Sequence, residues 1–203
     1  MATDEFYIDS RNGNDSSDGL SWANSLKTLG GLTAAQTADG DFGSAADMCT
    51  IHCVGIFTEK YSMPNGRYNS YEADDFAILD GQGSIDFGWY DTSPLAHRVT
   101  GFEFRNYTRN SVYIGHYGLA IDPANLTKMK DCIFDGVDPT NGMNNYNQPT
   151  TPGYNGVVYQ SGYNACVHYD GCVFKNAAVG FQSGTNMSYT HPTKVWNCTS
   201  EGN

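Results

Sequence analysis

The chain has 203 residues, enough for one hydrophobic core and too few for a second large domain. Only 16% of the residues are charged, against 39% apolar and 13% aromatic, a balance that excludes a disordered chain and one made mainly of solvent-facing helices. The net charge of −11 comes without any window of clustered Lys and Arg, so nucleic acid is not expected as a partner; no apolar run reaches the length of a membrane span, so no membrane insertion is expected.

Taken in chain order, residues 1–9 show neither a basic nor an apolar leader, and the chain reads as made in the cytoplasm. A short strand is expected at Phe6-Tyr7-Ile8, then a polar turn from Asp9 to Gly19. Trp22, Leu26, Leu29 and Leu32 follow at helical spacing and predict an amphipathic helix. Residues 1–45 thus read as a strand-helix cap, which an open stack of strands needs to shield its first layer.

From 46 to 203, strand-like runs recur at 49–58, 76–79, 98–104, 111–114, 129–134, 156–159, 166–174, 178–181 and 194–198, separated by Gly, Asn, Asp or Pro turns. Gly101-Phe102-Glu103-Phe104, Asp131-Cys132-Ile133-Phe134, Gly171-Cys172-Val173-Phe174 and Asn197-Cys198-Thr199-Ser200 align without gaps. A repeat of roughly 20–40 residues that cannot bury its own apolar face is the mark of a solenoid. The expected fold is therefore all-β, a right-handed parallel β-helix, in which Phe102, Cys132, Cys172 and Cys198 stack and the three cysteines form an internal ladder whose thiols need not bond. An antiparallel sandwich is the alternative, and it predicts frequent tight hairpins, which are sparse here.

Phe6-Tyr7-Ile8-Asp9, Asn12-Gly13-Asn14-Asp15 through Trp22-Ala23, and Leu26-Lys27-Thr28-Leu29 resemble the N-terminal cap of pectin-lyase-like right-handed β-helices. That opening is common in bacterial surface proteins, some polysaccharide lyases and many phage tail and virion proteins. The resemblance implies the fold over the whole chain and leaves the activity open.

Glycoside hydrolysis needs two opposed carboxylates. Leu79-Asp80-Gly81-Gln82-Gly83 resembles an early, structural coil of polygalacturonase-like enzymes, but that family's later catalytic succession is missing; Gly115-His116-Tyr117-Gly118 matches it only by half. Elimination needs a base beside a Ca²⁺ held by carboxylates, and Lys128, Lys130 and Lys175 have no acidic cluster next to them in sequence. Asp9, Asp15 and Asp18 lack EF-hand spacing and are expected to satisfy the backbone of their turn. The histidines at 52, 97, 116, 168 and 191 show no metal spacing. No catalytic residue, metal or cofactor is therefore assigned.

The stretch 142–169 sets Tyr146, Tyr154, Tyr159, Tyr163 and Tyr169 among Asn, Gly, Pro, Gln and Ser, a mixture found on binding surfaces. These tyrosines are the candidate contact with a partner or glycan; the alternative is that they pack loops onto the wall of the fold. With no leader and with free thiols, the chain fits a part of a phage virion: a tail spike, fibre or capsid decoration made in the host cytoplasm. It is expected to attach to other virion proteins or to copies of itself as a homo-oligomer, with host surface polysaccharide as a further ligand. The alternative is an extracellular polysaccharide lyase or glycoside hydrolase. Glu201-Gly202-Asn203 follows a repeat with no polar cap, so the coils are expected to continue in a longer protein or to be covered by a partner.

Overall fold

The computed structural model describes residues 5–40, 42–44, 46–64, 66–85, 87–91, 95, 97–107, 110–115, 127–135, 158–161, 167–176, 181–183 and 193–201. β1 (Glu5–Asp9) buries Phe6 and Ile8 and turns Glu5 and Tyr7 outwards, as its alternation predicts. The helix does not begin at Trp22. A 3-10 turn at Trp22–Asn24 is followed by extended chain, and α1 spans Leu29–Asp39. Asp15 explains the delay: its Oδ1 accepts the backbone N–H groups of Lys27 and Thr28, both at 2.9 Å, and pins that segment straight. Leu26 then pairs with Ile8 as a parallel bridge and is wholly buried, while Trp22 stays exposed. α1 starts where the Thr28 side chain accepts the Gly31 N–H, and it ends at Gly40, in the left-handed region with φ 81°.

The larger sheet runs in the order β1, β2 (Cys49–Phe57), β4 (Asn69–Asp80), β6 (Arg98–Arg105), β8 (Thr127–Lys130), β11 (Val167–Asp170) and β14 (Lys194–Trp196). It also holds β9 (Ile133–Asp135), β12 (Val173–Lys175) and β15 (Thr199–Glu201). The smaller sheet contains β3 (Tyr61–Ser62), β5 (Phe87–Asp91), β7 (Asn110–Gly115), β10 (Val158–Ser161) and β13 (Phe181–Ser183). Every strand pairing among the described residues is parallel, which overturns the sandwich alternative. The protein is thus predominantly β, with a large parallel sheet and one α-helix among the described residues.

Neighbouring strands stack residue over residue. Glu103, Ile133, Val173 and Thr199 are in register, which puts Phe102, Cys132, Cys172 and Cys198 in one column, as the gapless alignment predicts. The Cys132 thiol donates to the Val99 carbonyl (3.5 Å) and the Cys172 thiol to the Met129 carbonyl (3.4 Å); none of the five described cysteines is in a disulfide. Alongside them Phe104, Phe134 and Phe174 stack with ring centroids 5.3 and 5.1 Å apart. The residue before each member of the column is a left-handed corner: Gly101, Asp131, Gly171 and Asn197, with φ of 77°, 53°, 66° and 52°. Asn and Asp enter this region more readily than other residues with a side chain. At position 171 a Cβ would meet only the exposed Asp131 carboxylate, which can swing aside, so it is the positive φ that favours glycine there.

Candidate functional site

β4 is longer than its neighbours by an excursion. His52 faces Glu72 and Cys53 faces Ala73, but Gly55 faces Ala77; on the other side Glu72 faces Thr100 and Ala77 faces Phe102. Residues 74–76 therefore stand opposite the single residue Val54 on one side, and residues 73–76 opposite Gly101 on the other, so Asp74, Asp75 and Phe76 bulge out of the ladder. Beside them, the outward positions of β1 and β2 carry Tyr7 and His52, which stack at 4.8 Å with planes 13° apart. Trp22 closes the group, edge-on to Tyr7 at 5.0 Å and to His52 at 6.4 Å. The 3-10 turn at Trp22–Asn24 is what places Trp22 here.

The groove so formed has a volume of about 410 Å³ and is lined by Asp9, Arg11, Trp22, Val54, Asp74 and Asp75. His52 Nδ1 lies 3.0 Å from Asp74 Oδ1. The Arg11 guanidinium sits over the Phe76 ring at 5.5 Å. Burial alone would push the Asp9 carboxyl up, but hydrogen bonds from Arg11 and Asn12 outweigh it and hold the group below its ordinary value. Asp9 is thus an ionised acceptor and no proton donor. The Tyr7 hydroxyl donates to Glu5 at 2.8 Å, and this bond to a carboxylate raises its pKa. Aromatic faces next to carboxylates and a histidine can hold a sugar ring, its C–H groups on the rings and its hydroxyls on the acids.

The turn carboxylates do what the sequence leads one to expect. Asp9 accepts the Arg11 and Asn12 N–H groups, Asp15 accepts from Lys27, Thr28 and the Thr28 hydroxyl, and Asp18 accepts the Leu20 N–H. No group of three or more His, Cys, Asp or Glu side chains among the described residues is placed to hold a metal ion.

The tyrosine stretch divides. Tyr146, Tyr154 and Tyr163 lie outside the described residues. Tyr159 falls on β10, in register with Tyr113 on β7 and Tyr90 on β5. Tyr169 corrects the expectation: it is fully buried against Phe134 and Phe174 and offers no surface to a partner. Its neighbour His168 takes the outward position on β11. Tyr7, Trp22 and His52 are not singled out as a site by sequence reasoning. The signal is present, since Tyr7 and His52 are the polar members of alternating runs, but nothing in the sequence shows that the two strands are adjacent.

In comparisons with known proteins, no family model matched the sequence, and neither a curated protein nor a solved structure matched it.

Proposed function

We propose that this chain is a right-handed parallel β-helix serving as an attachment component of a phage virion, and that it binds a host glycan in the groove between β1, β2 and the excursion of β4. The chain's alternation between two all-parallel sheets supports the solenoid, and parallel crossovers take the right-handed sense almost without exception. The observation that carries the binding role is the packing of Tyr7, His52 and Trp22 beside Asp74 and Asp75: three rings held at the surface next to unsheathed carboxylates. Partners are other virion proteins or further copies of the chain. The test is a titration of the protein against a panel of bacterial surface polysaccharides. One of them is expected to bind, and Trp22→Ala is expected to weaken it about tenfold, in line with losing one or two ring contacts of ~0.5–1.5 kcal/mol. Failure of the whole panel, or binding indifferent to Trp22→Ala, sinks the reading. Electron microscopy of particles containing the chain tests the virion assignment.

A second reading, a polysaccharide hydrolase or lyase, draws on the His52–Asp74 pair and Asp75 in the same groove. Release of shortened chains from the bound polysaccharide, abolished by Asp74→Asn, is its expected sign.

A further inference from the structure

One inner column of the larger sheet is built of sulfur. Cys132, Cys172 and Cys198 each stand just before a strand, β9, β12 and β15, and those three strands are in register. The ladder runs on through the cysteines themselves: the Val173 N–H donates to the Cys132 carbonyl at 2.9 Å and the Thr199 N–H to the Cys172 carbonyl at 3.0 Å. Their side chains therefore follow one another at the strand spacing of ~4.8 Å. The Cys172 thiol is within hydrogen-bonding reach of the thiols of Cys132 and Cys198. Cys132 and Cys172 are buried, whereas Cys198 is partly exposed. Bulk alone does not call for sulfur in this column, since the preceding coils fill it with Ala77 and Phe102.

The spacing favours one thiol chemistry over another. A disulfide brings its Cβ atoms to ~3.5–4.5 Å and needs side chains aimed at each other. Parallel strands in register hold neighbouring Cβ atoms farther apart and aim them the same way, so a bridge between coils would require the strands to move. An ion lodged between two sulfurs asks for no such approach. Zinc takes four ligands, or three and a water, and no group of three or more His, Cys, Asp or Glu side chains among the described residues is placed for that. Calcium and magnesium take oxygen. A soft monovalent ion prefers thiolate sulfur and is satisfied by two of them on opposite sides; among biological metals that ion is Cu(I).

We propose that Cys172 and Cys198 form a two-thiolate site for Cu(I), with the ion between the corners that lead into β12 and β15 and tying those two coils together. Both thiols give up their protons to water as the ion enters, and no electron is transferred. Before that, the protons rest on backbone carbonyls, that of Cys172 on Met129 (3.4 Å) and Asp170 (3.6 Å) and that of Cys198 on Trp196 (3.1 Å), and the ion replaces them as the positive charge beside each sulfur. The partly exposed Cys198 gives the ion its way in, which the buried pair of Cys132 and Cys172 lacks. Cys49 and Cys53 lie on one strand, four residues and roughly 13 Å apart, too far to share an ion. The site uses nothing of the aromatic groove and stands or falls independently of the glycan reading.

The experiment is an anaerobic titration of the whole reduced chain against the coloured Cu(I) complex of bicinchoninate, whose bleaching reads withdrawal of the ion. One Cu(I) per chain is expected, with a thiolate-to-copper charge-transfer absorption in the ultraviolet and a rise in thermal midpoint. Cys198→Ser should weaken the affinity by more than about a hundredfold, beyond the roughly ten- to hundredfold that removal of a supporting group costs. Cys198 is partly exposed, so this variant should fold, and an unchanged midpoint without the ion confirms it. Cys53→Ala should still take up its ion. The proposal is overturned by failure to draw Cu(I) from the chelator, by retention of the ion in Cys198→Ser, or by an equal rise in midpoint with Zn(II). A Cys172–Cys198 disulfide, found by peptide mapping after exposure to oxidised glutathione, overturns it as well.

Discussion

The inner and outer columns of the same strands respond oppositely to repetition. Inside, Phe104, Phe134 and Phe174 place one ring on the next, and each copy adds stacking contact and buried area. Outside, Arg98 faces Lys128 and the two cations repel, whereas Asp80, Arg105, Asp135, Lys175 and Glu201 face one another with alternating sign. Parallel in-register pairing copies each neighbour relation up the stack, so a favourable choice is multiplied and an unfavourable one is too.

The contrast can be broken first from within. Phe134→Ala removes the middle ring of the stack and should cost ~3–5 kcal/mol in chemical denaturation, because the rings above and below cannot close the gap without moving their strands. Reversing one sign in the alternating column comes next. Asp135→Lys replaces the ion pair with Lys175 by a repulsive contact, sets a second cation opposite Arg105 and removes the acceptor of the Asn176 side chain, so a loss of about 1–2 kcal/mol is expected in the same measurement. Acid sharpens the same point. Burial works against ionised Asp80, but hydrogen bonds from Asn106, Gln82 and Arg105 prevail and hold its pKa low. A carboxyl held low in the fold stabilises it above the unfolded value of roughly 4 and loses that contribution as pH falls through the depressed value. The drop in stability between neutral and acid pH should therefore be smaller in Asp80→Asn. Smallest of all is Lys128→Glu, which sets an acid opposite Arg98 in place of a cation, so the thermal midpoint in low salt should stay level or rise slightly; a clear fall would show that the lysine contributes to stability.

Much of this fold is legible because the corners repeat. A left-handed Gly, Asp or Asn followed by a small or aromatic core residue sets the register of β6, β9, β12 and β15, and that pattern can be read along the chain by eye. The start of α1 is not legible in that way, since the leucine spacing ignores the carboxylate of Asp15, which competes for the backbone of Lys27 and Thr28. β5 escapes notice although its Trp89 is fully buried, because a strand of a few residues between polar turns has little periodicity to show. The site is harder still. Tyrosine-rich composition marks 142–169 but carries no parity, and the alternation of β11 sends Tyr169 inwards and His168 outwards. Tyr7, Trp22 and His52 meet only because β1 and β2 pair, and Arg98 faces Lys128 only through the register of β6 and β8.

The constant corner has one more effect, on how such a molecule can change. β8 and β9, β11 and β12, and β14 and β15 are each joined by the same two-residue bend, Asp131-Cys132, Gly171-Cys172 and Asn197-Cys198. A residue gained or lost there would throw every following side chain to the wrong face. The connections that leave β9 and β12 differ widely in length. Insertions and deletions are thereby channelled to one side of the chain's path, so new loops can be acquired there while the faces bearing the aromatic groove and the alternating charges keep their spacing unchanged.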